Sequence, residues 1–318
     1  MRKILLYPTA ALATLVCVGS ASAQTVGIGS TKGGVLASVV ATVAKVVTLQ
    51  SDLKMRPQPM GGTQQYIPVV NAGELPFGIS NAVQFNMALS GTGISKRKYP
   101  NLRVVAQLMT FRTGPIVPGN SSIKKMSDIR GKRVPYGFKA APLFQHVFTG
   151  YLTNAGLTWD DVIKVPAVAL RQHWDLFKQG KIDVSVGNPG SGLNKSLNAA
   201  ISGGIRHLTL NKNTPGADKL LNDLPQMFYY QLKPEKKYPS VPQDVELIGM
   251  NFLLWTHKDA DEKLIQKVTK ALYESEANLK ESGPVWGNYK TANMANDNGG
   301  AFHPGAVRFY KEKGLWKR

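Results

Sequence analysis

Cysteine is almost missing from this chain: 318 residues hold one, Cys17. A disulfide framework and thiolate metal sites are therefore excluded. Stability has to come from a buried core, which a chain this long can build. Acidic residues are also scarce beside basic ones, 20 against 39, leaving a formal net charge of +19. The five histidines, at 146, 173, 207, 257 and 303, are scattered, with no pair at metal-ligand helical spacing. A Gly-x-Ser-x-Gly elbow is lacking, as are internal repeats, coiled-coil heptads and low-complexity tracts. The expectation is a protein without catalytic residues, metal or cofactor.

What is present begins at the N-terminus. Arg2 and Lys3 precede an apolar run from Thr9 to Val18, and Ala21-Ser22-Ala23 supplies a small-x-small cleavage pattern. Residues 1–23 thus read as a cleaved secretory signal, the apolar run being shorter than the roughly 20 residues of a membrane span. Cys17 follows Val16, which does not suit a lipobox. Export to the periplasm makes nucleic acid an improbable partner for the basic charge. The lysines and arginines are spread without an Arg-rich tract, as on a solvated surface whose positive potential also steers anions. Even after cleavage the chain is too long for one ordinary α/β lobe and suits two.

From Thr25 onward short apolar strands, Gly-rich turns and helices alternate. Strands are expected at 25–29, 53–57 and 76–80, with helices at 35–49, 64–72 and 82–89. The same alternation returns after 102–111: strands at 132–136, 162–165 and 182–186, helices at 142–155, 170–179 and 192–201. Such alternation implies a parallel sheet covered on both faces. Residues 211–246 look irregular, 247–257 read as a long buried strand, 259–281 as one amphipathic helix and 302–313 as a last helix. One lobe inserted into another explains this order, with lobe 1 at 24–110 and 250–318 and lobe 2 at 111–249.

In open α/β sheets ligands bind beyond the carboxyl ends of strands. The loops there are Gly29–Gly34, Met60–Gln64, Ser80-Asn81, Tyr136–Pro142 and Gly187–Gly192, all combining small residues with hydroxyl, amide or lysine groups. Helix N-termini opening from such loops offer unpaired N–H donors to carboxylates or phosphates. Gly27-Ile28-Gly29 is not a dinucleotide fingerprint, because the spacing to Gly33 is wrong and no acidic residue ends the second strand. Thr31-Lys32-Gly33 lacks the order of a P-loop. Asp160-Asp161 suit a helix cap or a solvated turn; His173-Trp174 could reach a cleft, with a helix-surface or packing role preferred.

Several segments in order resemble the TAXI-type solute receptors of tripartite ATP-independent periplasmic (TRAP) transporters. They are the Gly29–Gly34 turn, Gly61-Gly62-Thr63, Phe77-Gly78-Ile79-Ser80-Asn81, and Ser127-Asp128-Ile129-Arg130-Gly131-Lys132-Arg133-Val134. Gly180-Lys181-Ile182-Asp183 and His303-Pro304-Gly305-Ala306 continue the series. The resemblance implies an α/β, two-lobed periplasmic binding protein fold of type II with a ligand cleft between the lobes. It also implies a monomer that closes on a small organic anion and docks on TRAP permease subunits. The same fold could instead serve an ABC-type importer or a periplasmic sensor system. Carried over by position, the expected contacts are Ser30, Thr31 and Gly34, then Gly62 and Thr63, then Asn81.

Two turns depart from that family's pattern. Tyr136-Gly137-Phe138-Lys139-Ala140-Ala141-Pro142 replaces a glycine-rich turn, and Asn81-Ala82-Val83 lacks an acidic residue. Phe138 and Lys139 should therefore alter the pocket, with Tyr136, Gly137, Lys139 and Asn188 as further contacts. Loss of a carboxylate and gain of a lysine favour a keto- or dicarboxylate, or a related acid with an apolar part, over an amino acid.

Overall fold

The structure is a computed structural model that describes residues 23–317. The signal-peptide assignment lies outside the described residues apart from Ala23. The first half runs β1 (Gln24–Thr31), α1 (Gly34–Gln50), β2 (Leu53–Met60), α2 (Thr63–Asn71), β3 (Phe77–Asn81), α3 (Ala82–Ser90) and β4 (Leu102–Pro118). Next come β5 (Arg133–Gly137), α4 (Pro142–Asn154), β6 (Ile163–Ala167), α5 (Leu170–Lys178), β7 (Ser185–Gly187), α6 (Gly192–Ala200) and β8 (Ile205–His207). The chain ends with α7 (Pro215–Asp223), β9 (Met227–Leu232), β10 (Val245–His257), α8 (Glu262–Tyr273), α9 (Glu276–Glu281) and α10 (Pro304–Glu312).

The alternation is as expected, but the main sheet is mixed rather than parallel. Its order is β2-β1-β3-β10-β4-β7, with β8 on β4 and β9 on β10. Only β1–β2 and β1–β3 are parallel in it; β10 runs antiparallel to β3, β4 and β9. The cause is the return of the chain: β10 comes from far downstream and slots between β3 and β4, where a direct βαβ crossover would have made a parallel neighbour. β5 and β6 form their own parallel pair.

Packing explains several element boundaries. α1 is rich in β-branched residues, which are only moderate helix formers; burial of Val39, Val40, Val43, Val46 and Val47 stabilises it. β2 runs on through Pro57 and Pro59 to Met60 because it is an edge strand, paired only with β1. The helix expected over 259–281 is broken at Glu274-Ser275. There the Ser275 hydroxyl bonds back to the Ala271 carbonyl at 2.6 Å, a local bond that bends helices. Within the stretch expected to be irregular, α7 begins with Thr214 accepting from the Ala217 amide and Pro215 at its first position.

The buried side chains form two large clusters. One gathers β1–β3, α1 and the start of β4 with Phe252–Trp255 and the C-terminal helices. The other joins β5, α4 and α7 with Val117 of β4 and Ile248 and Met250 of β10. β4 and β10 pair from Leu102↔His257 to Thr113↔Ile248 and so run through both clusters. β4 runs on past Phe111, where the expected strand ended, to Pro118, and Gly114–Ile116 pair with β7.

Candidate functional site

Between the two clusters lies a cavity of about 1210 Å³. Its lining includes the N-cap residue of each of the first six α-helices: Gly33, Gly62, Asn81, Ala141, Ala169 and Ser191. The first turn of every one of these helices is free of acidic residues. Four of the caps (Gly33, Gly62, Ala141 and Ala169) offer no side-chain hydrogen bond. The first turns of α7, α8 and α9, which stand outside the lining, carry Asp218, Glu262 and Glu276, whereas α10, also outside it, has no acidic first turn. Six partial positive charges thus border one space, and four of these helix ends have no side-chain cap.

Local backbone geometry makes those ends accessible. At Gly29 an added Cβ would sit 2.6 Å from Cγ of Tyr66, so only glycine lets β1 end against that ring. Gly34 opens α1 at φ +81°, a conformation that other residues rarely adopt.

Side chains complete the lining. Thr31 Oγ1 donates to the Gly33 carbonyl at 2.9 Å. Asn81 caps α3 by accepting from the Gln84 amide at 2.9 Å, and its Nδ2 donates to Gln84 Oε1. Across the cavity Asn188 Oδ1 accepts from the Gly190 amide, while Ser191 Oγ donates to the Asn188 carbonyl and accepts from the Asn194 amide. Thr113 Oγ1 of β4 donates to the Gly187 carbonyl at 3.1 Å. The same carbonyl lies 3.3 Å from His207 Nε2, and burial pushes that imidazole down to about 4 despite carbonyls of Gly187 and Ser240 that favour its charged form. This network fixes the Gly187–Ser191 turn from behind.

Charged side chains on the lining are Lys32, Arg171, Lys178 and Asp175. The three cations are exposed, and Asp175 lies 3.7 Å from Arg171. The floor is apolar, formed by Phe111 of β4 with Phe252 and Met250 of β10; the two phenyl rings are 5.7 Å apart. Trp174 of α5 also faces the space, its Nε1 donating to the Val186 carbonyl.

Of the expected contacts, Thr31, Gly34, Gly62, Thr63, Asn81 and Asn188 all line this cavity. The other four stand outside its lining. Ser30 is buried at 3% exposure with its hydroxyl donating to the Thr31 carbonyl. Tyr136 packs edge-on against Trp159 at 5.0 Å, with Lys164 over its ring. The Gly137 amide donates to Gln145 Oε1, and Lys139 is exposed. Phe138, expected to alter the pocket, is instead a core residue, fully buried and stacked on Phe148 at 5.4 Å. Within this turn Phe138 joins a core, while Ala140, Ala141 and Pro142 line the cavity.

Sequence reasoning missed the loop after β6, although Ala169 precedes a helix just as the other five loop ends do. It missed the floor as well, because Phe111 and Phe252 lie inside strands whose pairing is not local. Asp161, expected to cap a helix, does so by accepting from the Thr158 amide. His173 is buried at 0% exposure among Phe138, Phe148 and Trp174. Among the described residues no cluster of three or more His, Cys, Asp or Glu is arranged to hold a metal ion.

A family model described as the NMT1-like family matches residues 27–314. Among solved structures, the periplasmic binding protein BugD superposes with a TM-score of 0.56 at 13% identity, over 93% of this chain and 99% of that one. MatC from Rhodopseudomonas palustris, solved with bound malate, gives 0.54 at 13% identity, over 82% and 89%. The periplasmic aliphatic sulphonate binding protein SsuA from Escherichia coli gives 0.50 at 17%, over 81% and 76%. At such identities the likeness is one of fold: two lobes with a ligand cleft between them.

Proposed function

Because the chain belongs to the NMT1-like family and has the two-lobed binding-protein fold, we propose that it is a periplasmic receptor that captures a small organic anion and delivers it to a membrane transporter. The observation that carries this reading is the convergence of six helix N-termini, four without a side-chain cap and all without acidic first turns, on one cavity. A carboxylate placed there would take the free N–H groups of α1 and α2 on one side and of α4 and α5 on the other. Thr31, Gly34, Gly62, Thr63, Asn81 and Asn188 are the proposed contacts. With one carboxylate on the lining, already beside Arg171, a ligand ammonium group lacks a free partner; a keto- or dicarboxylate fits better than an amino acid.

The lobes are assigned to 24–110 with 250–318 and to 111–249, so that β4 and β10 cross between them and flex on closure. The chain is read as a monomer, exported by removal of residues 1–23. The TRAP system is the favoured transporter, on the TAXI-like segments from Gly29–Gly34 to His303–Ala306. An ABC-type importer is the second reading, since the same fold could serve either kind of transporter.

Thermal denaturation against a panel of organic acids, amino acids and sulphonates tests the anion reading. A bound ligand raises the melting temperature with the logarithm of its concentration over Kd; a flat response to every anion would sink the reading. Uptake into vesicles that depends on an ion gradient and not on ATP would support the TRAP partner, and ATP dependence the ABC one.

A further inference from the structure

The anion pole accounts for the rim of the cavity and leaves its floor unexplained. Phe111 and Phe252 lie side by side on β4 and β10 with ring centroids 5.7 Å apart and planes inclined at 52°. Met250 lies beside them on the lining, and Phe144 and Trp174 approach from α4 and α5. The base of the cleft is thus apolar: Phe111, Phe144 and Trp174 are part-buried there, and Phe252 and Met250 stand behind them with little surface exposed.

Two features mark this floor as a ligand surface rather than as faces that meet when the lobes close. Phe111 and Phe252 sit on the paired crossing strands, Thr110 and Asn251 being joined there by a 2.8 Å side-chain hydrogen bond. They form the base about which closure would occur, so closure brings other groups over them and does not remove them from the site. The polar reach of Trp174 is also already used, since its Nε1 donates to the Val186 carbonyl. What it can offer a ligand is its ring. Aromatic faces prefer other flat rings, in offset-stacked or edge-on arrangements.

We infer that the captured anion is an aromatic carboxylate whose ring lies on Phe111 and Phe252 while its carboxylate meets the helix N-termini. The inference rests on the anion reading above and adds to it the body of the ligand. Phe111 and Phe252 then act as specificity-determining residues, and the absence of a second charged clamp below the rim leaves recognition of the ring to apolar contact.

The test is calorimetric titration of the mature protein with acids paired by charge: benzoate against butanoate, and benzene-1,4-dicarboxylate against succinate. Each benzenoid acid should bind at least about tenfold more tightly than its aliphatic partner. In Phe111→Leu, which keeps an apolar side chain and removes the ring, the ratio should fall below about threefold. Equal or tighter binding of the aliphatic acids, or an unchanged ratio in Phe111→Leu, would overturn the inference while leaving the anion reading in place. Binding of neither series, with no response to any other anion, would remove the anion reading and this inference together. Should Phe111→Leu fail to fold, the paired acids on the unaltered protein decide the matter alone.

Discussion

Gly78 and Trp255 stand opposite each other on β3 and β10, and the indole covers the glycine. A Cβ added at Gly78 would lie 2.6 Å from Cζ2 of Trp255 and nearer still to two other ring atoms. Trp255 is fully buried, donates Nε1 to Ser80 Oγ at 3.1 Å and stacks on Tyr66 at 5.9 Å. Its ring has no room to retreat. Gly78→Ala should therefore destabilise the protein by about 1–3 kcal/mol through overpacking, measured by urea denaturation. A loss below a few tenths would mean that β3 and β10 can separate locally at little cost.

A second prediction concerns the end of α4. Asn154 is 2% exposed and accepts the Asn211 amide at 2.8 Å, while its Nδ2 donates to the Asn211 carbonyl and to Tyr229 Oη. Asn211 in turn donates Nδ2 to the Asn154 carbonyl. Asn154→Ala strips partners from the part-buried Asn211 and Tyr229 groups and should cost about 1–3 kcal/mol. Ligand affinity should stay unchanged, since neither asparagine lines the cavity. An affinity loss comparable to the stability loss would tie this junction to the site.

Stability and binding should part company at Gly33. This N-cap is extended at φ −179°, and an added Cβ would meet nothing within 4 Å. Gly33→Asp supplies a cap and a charge favourable to the helix dipole, so stability should rise by a few tenths to about 1 kcal/mol. The same carboxylate would occupy the ground meant for the ligand and repel it, so anion affinity should fall about tenfold or more. Gly33→Asn caps without charge and should keep more of the affinity. Equal affinities in both variants would show that α1 takes no part in capture.

Acid should weaken the fold by a route that can be localised. Burial pushes His173 down to about 3 and His207 down to about 4, with nearby backbone carbonyls offsetting only part of the effect. The unfolded chain takes up these protons near pH 6.5, whereas the folded protein resists until the lower values. The stability that neutral rings provide is thus complete above pH 6.5 and is lost as pH falls toward 4. The urea midpoint should drop across that window. His173→Leu, which suits the ring cluster of Phe138, Phe148 and Trp174, should make the drop shallower. An identical pH profile in the variant would acquit His173.

The rim of the candidate site was legible in the sequence because its signals are local. A strand end, a small residue and a helix start lie within a few positions of one another, so the loops could be named from short segments, while Thr31, Gly34, Gly62, Thr63 and Asn81 within them came from the resemblance to TAXI-type receptors. Where the local signal was ambiguous the reading went astray. Phe138 and Lys139 sit in a loop of the right kind, yet alternation along one short turn sends the ring into the core and leaves the lysine in water.

By itself the sequence determined the succession of strands and helices, two successive α/β runs and five small-residue loops at strand ends, all consequences of hydrophobic period and of turn chemistry over a few residues. Only the tertiary structure decided that β10 runs antiparallel between β3 and β4, which makes the sheet mixed, covers Gly78 with Trp255 and sets Phe252 beside Phe111. Those outcomes depend on contacts between residues more than 140 positions apart in several cases, as with Phe111 and Phe252. Strand direction and neighbour choice in a sheet are settled by which buried faces fit together, and no short stretch of chain carries that information.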